Sequence, residues 1–168
     1  MNTLKMMKKY LFIALCCFGS VNLFAQSITV NDLTNLTTLA NPEAHNYLVL
    51  SKGFKREYTQ EVDGNTVERL NKLTADKKEE SVDIGQAVKL SSGAILRTVS
   101  YKTGTPLHVF NLISQAKRAG IHMRFQGADV KNNIYQFDND FYHIEMLIAR
   151  DNTYGFVQIK QKEYLGFD

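Results

Sequence analysis

Apolar residues recur at helical spacing in one stretch of this chain and then switch to strict alternation. Val109, Leu112, Ile113, Ala116 and Gly120 follow one another at three- and four-residue steps, which puts them on one face of a helix. Thr105 and Pro106 offer a capping side chain followed by a residue whose missing N–H costs nothing in a first helical turn. Gly120 supplies the left-handed closing residue, and Lys117 and Arg118 occupy the last turn, where the helix dipole favours cations. Ile121, Met123 and Phe125 then alternate with His122, Arg124 and Gln126, the period of a strand.

The same reading covers the chain before it. Leu33, Leu36 and Leu39 mark one short helix. Asn41 and Pro42 begin a second, with Ala44, Tyr47, Leu48 and Ser51 on its inner side and Gly53 at its end. Residues 54–60 read as extended, Asp63-Gly64-Asn65 as a turn, and 66–73 as the returning strand. Val67, Leu70 and Leu73 also fit a helix, but an Asp-Gly turn between extended runs outweighs a few tenths of a kcal/mol of propensity per residue. Residues 74–80 form a charged connector whose opposite charges largely cancel, as expected of a solvated loop. Val82, Ile84, Gln86, Val88 and Leu90 alternate, 91–93 turns, and 94–102 leads back to the long helix. After that helix, extended runs are expected at 121–126, 132–137, 141–149 and 154–161.

This order predicts an α+β protein of two tandem units, each a helix or helix pair packed on a four-stranded antiparallel sheet. The units would span residues 26–103 and 104–168 and form one globular body. Alternation turns Met123, Phe125, Ile144, Met146, Ile148, Val157 and Ile159 toward the helix. Ile113 should then lie at the centre of the second core, and a change at Gln115, on the far face, should matter little. The opposite sheet face carries His122, Arg124, His143, Glu145, Phe156, Gln158 and Lys160, with Tyr154 beside them. Aromatic contact area among polar groups suits a surface that binds protein or glycan.

Residues 1–25 alter the picture of charge and compartment. Lys5, Lys8 and Lys9 precede a short apolar run from residue 10 to 17, the layout of a secretory signal with cleavage expected after Ala25. A lipoprotein signal is the weaker alternative, because Cys16 follows Leu15 and Cys17 follows Cys16, where a small residue is wanted. The chain has 20 Lys plus Arg against 17 Asp plus Glu, and three of those lysines fall in the signal. The mature chain is then balanced at 17 of each, which removes any argument for nucleic-acid binding. Both cysteines also lie in the signal, so no disulfide is expected. Nor does any later apolar run reach the length of a membrane span.

Certain residues carry a resemblance. The signal end Leu23-Phe24-Ala25-Gln26, the Lys52-Gly53-Phe54 step and the Val99-Ser100-Tyr101-Lys102-Thr103 strand resemble small secreted proteins of unknown function from Bacteroidota. This implies an exported protein of a Gram-negative bacterium. The tandem plan also looks like the β-lactamase inhibitor proteins, in which paired units form a concave sheet that grips a partner. The mature chain lacks that family's disulfide-bearing cysteines, and no contact residue carries over.

Catalytic patterns are sparse. The chain has no Gly-x-Ser-x-Gly turn, no His-Glu-x-x-His helix and no glycine-rich phosphate loop. His45, His108, His122 and His143 are the available general bases. Asp138, Asp140, His143 and Glu145 are the nearest approach to a metal-ligand cluster, yet Asp138-Asn139-Asp140 equally makes a good turn. The reading is an exported, non-enzymatic envelope module without a cofactor, which binds a protein or other envelope component through its open sheet face. A small periplasmic acid/base hydrolase or isomerase with a histidine base is the alternative.

Overall fold

The computed structural model describes residues 27–164, so the expected signal, with Cys16 and Cys17, lies outside the described residues. Helix α1 spans Val30–Thr38 and opens on a reciprocal cap. Thr29 Oγ1 accepts from the Asp32 N–H at 3.1 Å, and Asp32 Oδ2 accepts from the Thr29 N–H at 2.8 Å, satisfying two donors that a helix start leaves free. Helix α2, Asn41–Asn46, continues through a π-helical turn at Tyr47–Ser51, and Gly53 closes it at φ 72°. Its cap position is Ala40 rather than Asn41, and the Glu43 carboxylate accepts from the Ala40 N–H at 3.2 Å.

Strands β1 Lys55–Val62, β2 Asn65–Leu73, β3 Glu79–Lys89 and β4 Ile95–Thr103 follow. The extended reading of β2 holds against the helical one. Helix α3, Pro106–Arg118, leads to β5 His122–Ala128, β6 Asn132–Asp138, β7 Tyr142–Ala149 and β8 Gly155–Gln161. Thr105 stands at the cap of α3, but its hydroxyl makes no cap bond. Gly120 ends the helix at φ 73°, as its position predicts.

The expected pair of four-stranded sheets is wrong. All eight strands form one continuous antiparallel sheet in the order β1-β2-β3-β4-β8-β7-β6-β5. The seam is β4 against β8, in register from Thr98↔Lys160 to Thr103↔Gly155. Two separate sheets would have left both of these strands with an unpaired row of N–H and C=O groups. Helix α1 packs on β4 and β8, the two strands of the seam, while α3 packs on β7, β8 and β4. One core therefore runs under both helices, from Leu33 and Leu36 through Val82, Tyr101 and Val157 to Ile144, Met146 and Phe137. Ile113 is 6% exposed within it, beside Val109, Leu112 and Ala116.

Bulges overturn part of the face assignment. In β5 the register slips at Arg124, so Met123 pairs with Phe137 while Phe125 pairs with Gln136. One extra residue reverses every later side chain. Phe125 therefore leaves the helix side and stands 47% exposed on the open face, its ring over Gly127. The same device acts in β3 between Asp83 and Gln86, where Gly85 takes φ 97°. Val82 and Ile84 are buried, but Val88 beyond the bulge is exposed.

The connector also differs from expectation. Strand β3 starts at Glu79, and Glu80 is only 1% exposed. It reaches under the sheet, where Tyr101 Oη donates to Glu80 Oε1 at 2.8 Å and His108 Nδ1 lies 2.6 Å from the same oxygen. Lys72 Nζ sits 3.3 Å from Glu80 Oε2, an ion pair without hydrogen-bond geometry, and donates to the Lys52 carbonyl at 3.3 Å. Lys52 in turn places its ammonium 2.7 Å from Asp32.

Candidate binding face

Helices cover one side of the sheet and leave the other open among the described residues. Cross-strand register lines up one side chain from every strand on that open side: Tyr58, Arg69, Asp83, Ser100, Gln158, Glu145, Gln136 and Phe125. Seven interstrand steps make this row roughly 34 Å long. Its members are tied in pairs. Arg69 donates from Nε and Nη2 to the two oxygens of Asp83 at 2.6 and 2.7 Å, a bidentate geometry that fixes both side chains. The ring of Tyr58 lies 5.3 Å from the guanidinium carbon. Gln158 Nε2 donates to Ser100 Oγ at 3.3 Å, and Gln136 Nε2 donates to Glu145 Oε1 at 3.2 Å. The hydrogen bond to Asp83, more than partial burial opposes, holds the Arg69 guanidinium firmly protonated.

The next row along the strands is Gly127, Ile134, Leu147, Phe156, Lys102, Ser81, Asn71 and Lys55. It is apolar over β6–β8 and polar over β1–β4. Ile134, Leu147 and Phe156 are half-buried, so an aliphatic and aromatic strip borders the polar row. Tyr154, in the turn before β8, donates its hydroxyl to Asn132 Oδ1 at 2.8 Å and carries the Lys102 ammonium 5.5 Å from its ring centre.

The structure gathers the residues singled out from the sequence, but in three rows. Glu145 and Gln158 belong to the long polar row, and Phe156 belongs to the apolar strip. His122, His143 and Lys160 form a third row, running through Asp138 to Thr98. Arg124, on its bulge, reaches to 3.9 Å from Asp138 and is 63% exposed. Asp138 is the hub of that corner, with Lys162 Nζ donating to both of its oxygens at 3.2 Å and His143 Nδ1 3.7 Å away. The carboxylates named with His143 as possible ligands are thus divided: Asp138 faces cations and Glu145 faces Gln136. Among the described residues no group of three or more His, Cys, Asp or Glu side chains is placed to hold a metal ion.

Sequence reasoning missed the contribution of β1–β4. Tyr58, Arg69, Asp83, Ser100 and Lys102 complete the rows; alternation along β2, β3 and β4 places Arg69, Asp83, Ser100 and Lys102 on the outward side, and Tyr58 joins them past a bulge in β1. The signal that they continue the surface of β5–β8 is the β4–β8 pairing, which no local pattern encodes. No protein family, curated protein or solved structure matches the chain.

Proposed function

We propose that the protein is an exported, non-enzymatic binding module of the bacterial cell envelope that engages its partner through the open sheet face. One observation carries this reading: a single outward row crosses all eight strands, polar from β2 to β6 and ended by the rings of Tyr58 and Phe125, with an apolar strip alongside it over β6–β8 and, among the described residues, no helix packed on either. Internally paired polar side chains are already ordered before a partner arrives, which reduces the entropy lost on binding. An apolar strip with a polar border has the anatomy of a recognition surface. The layout of residues 1–25 supports export to the periplasm or beyond. The test is affinity purification from envelope extracts, followed by titration of the recovered partner against alanine replacements at Arg124, Glu145 and Phe156. Loss of affinity at Phe156 and Glu145 is expected. Unchanged affinity in all three overturns the face assignment.

A second reading rests on His108. Its Nδ1 is held by the buried Glu80, and it lines a groove of about 400 Å³ with Asn111, Ser114, Gln115 and Arg118. A carboxylate that orients one ring nitrogen leaves the other free for proton transfer. This favours a small acid/base hydrolase or isomerase. Turnover of an ester or glycoside substrate that disappears in His108→Gln, with folding intact, would replace the first reading with this one.

A further inference from the structure

The open face is not uniform. Where β2, β3 and β4 meet the turn before β8, a cleft of about 310 Å³ opens, lined by Arg69, Glu79, Ser81, Lys102, Thr153 and Tyr154. This is near the lower size limit of small-molecule sites. Ser81 is one of its lining residues. It is 8% exposed, it points to the open side by its pairing with Lys102 and Asn71, and its hydroxyl has no hydrogen-bond partner among the described residues. The hydroxyl oxygen itself is not sealed from solvent, so a molecule in the cleft can reach it as donor or acceptor.

The two cations beside Ser81 each lie against an aromatic ring. Lys102 is its direct cross-strand neighbour, lies over the Tyr154 ring and makes no ion pair among the described residues. Arg69 is diagonal to Ser81, locked by Asp83 and Tyr58 through Nε and Nη2. Its Nη1 makes no hydrogen bond among the described residues. A guanidinium, an ammonium and a hydroxyl thus line one cleft from adjacent strands, a donor set that suits a carboxylate. Thr153, whose hydroxyl donates to Asp151 Oδ1 at 2.7 Å and keeps acceptor capacity, and the exposed Glu79 also line the cleft; both accept from neutral hydroxyls, and the Glu79 carboxylate disfavours ligands of higher negative charge.

We propose that this cleft binds a monoanionic hydroxy acid of about monosaccharide size, such as a uronate. Lys102, Arg69 and Ser81 take the carboxylate, and Thr153 and Glu79 take the hydroxyls. The proposal rests on the open-face reading and narrows it to a ligand class.

The test is titration of the full chain with glucuronate, glucose and inorganic phosphate in parallel, followed by amide chemical shifts and calorimetry. Glucuronate should saturate with a dissociation constant of about 1 mM or tighter, with shifts centred on Ser81 and Lys102, and glucose should bind at least about tenfold more weakly. Lys102→Met should weaken glucuronate about tenfold and Ser81→Ala severalfold, both with unfolding midpoints at the wild-type value, which separates lost binding from lost folding. Glucose binding as tightly as glucuronate, phosphate binding more tightly, a Lys102→Met variant with unchanged affinity, or no saturation each overturns the assignment. If the titration fails while Phe156→Ala still abolishes partner binding, the cleft proposal falls and the open-face reading stands. If the titration succeeds while partner affinity ignores the face variants, the reverse holds.

Discussion

Gln115 on α3 accepts a hydrogen bond through its side-chain oxygen from the backbone N–H of Val30, the first residue of α1, at 3.0 Å. That N–H is among the four donors that a helix start cannot satisfy internally. A glutamine placed by its period on the outer side of α3 thus joins two helices through residues 85 positions apart in sequence.

Gln115→Ala is therefore expected to cost about 0.5–2 kcal/mol, the range for losing a helix cap, instead of the negligible effect that its outer-face position implies. Ile113→Ala should cost more, about 2–5 kcal/mol, through lost burial and the cavity left among the core residues. Denaturant midpoints of the two variants decide both points. A wild-type midpoint for Gln115→Ala would mean that water replaces the contact without loss.

Glu80 and Glu79 are neighbours with opposite environments. Replacing Glu80 by Gln leaves Lys72, whose side chain is 8% exposed, without its counter-charge, and breaking a buried pair from one side typically costs about 3–5 kcal/mol. The same change at the exposed Glu79 should leave the midpoint where it is. Thermal unfolding of both variants provides the comparison, and equal behaviour would contradict the burial of Glu80.

Acid should weaken the fold in part through Asp32. Burial pushes its carboxyl upward, but hydrogen bonds from Lys52, Tyr47 and Thr29 outweigh that and hold it below the ordinary value of 3.8. A carboxyl depressed in the folded state adds stability that is fully present above its unfolded value and is lost as pH falls through the folded one. Asp32→Asn should therefore be less stable at neutral pH and should lose less of its remaining stability between about pH 5 and 2. Denaturation midpoints across that range are the measurement.

Tyr47 provides the alkaline counterpart. Burial first, then the hydrogen bond to Asp32 and its charge, raise the phenol from 10.0 to about 12. Its contribution is complete below the unfolded value and fades as pH climbs from there toward the folded one. Absorbance titration of tyrosinate should show one group in Tyr47→Phe missing from the late, high-pH phase. An unchanged late phase would assign the raised phenol elsewhere.

Gly155 lets α3 approach β8 where a side chain would not fit. A Cβ there would stand 2.4 Å from Val109 Cγ2 and 3.1 Å from Val109 Cβ. Gly155→Ala must push α3 off β8 and should cost about 1–3 kcal/mol. Adding Val109→Ala should restore part of the loss, because it removes the opposing methyl groups. A double-mutant cycle on unfolding free energies tests the coupling, and simple additivity would place the strain elsewhere.

Local chemistry determined much of this protein by itself. The helix-starting prolines Pro42 and Pro106, the closing glycines Gly53 and Gly120, the Asp63-Gly64 turn and the 3.6 and 2.0 periods place the helices and strands, because each depends on residues within a few positions of one another. The buried side of α3 and the outward position of Glu145 and Gln158 follow from the same periods. Tertiary structure alone decided what those elements meet. Whether β4 pairs with β8 is settled by which exposed edges find each other, and every strand has the same backbone to offer. Bulges at Arg124 and Gly85 re-aim Phe125 and Val88, since a single added residue reverses a period of two while leaving the composition of the strand unchanged. Burial of Glu80 required Tyr101, His108 and Lys72 to arrive from three other elements, so a charge that reads as solvated in its own neighbourhood became part of the core.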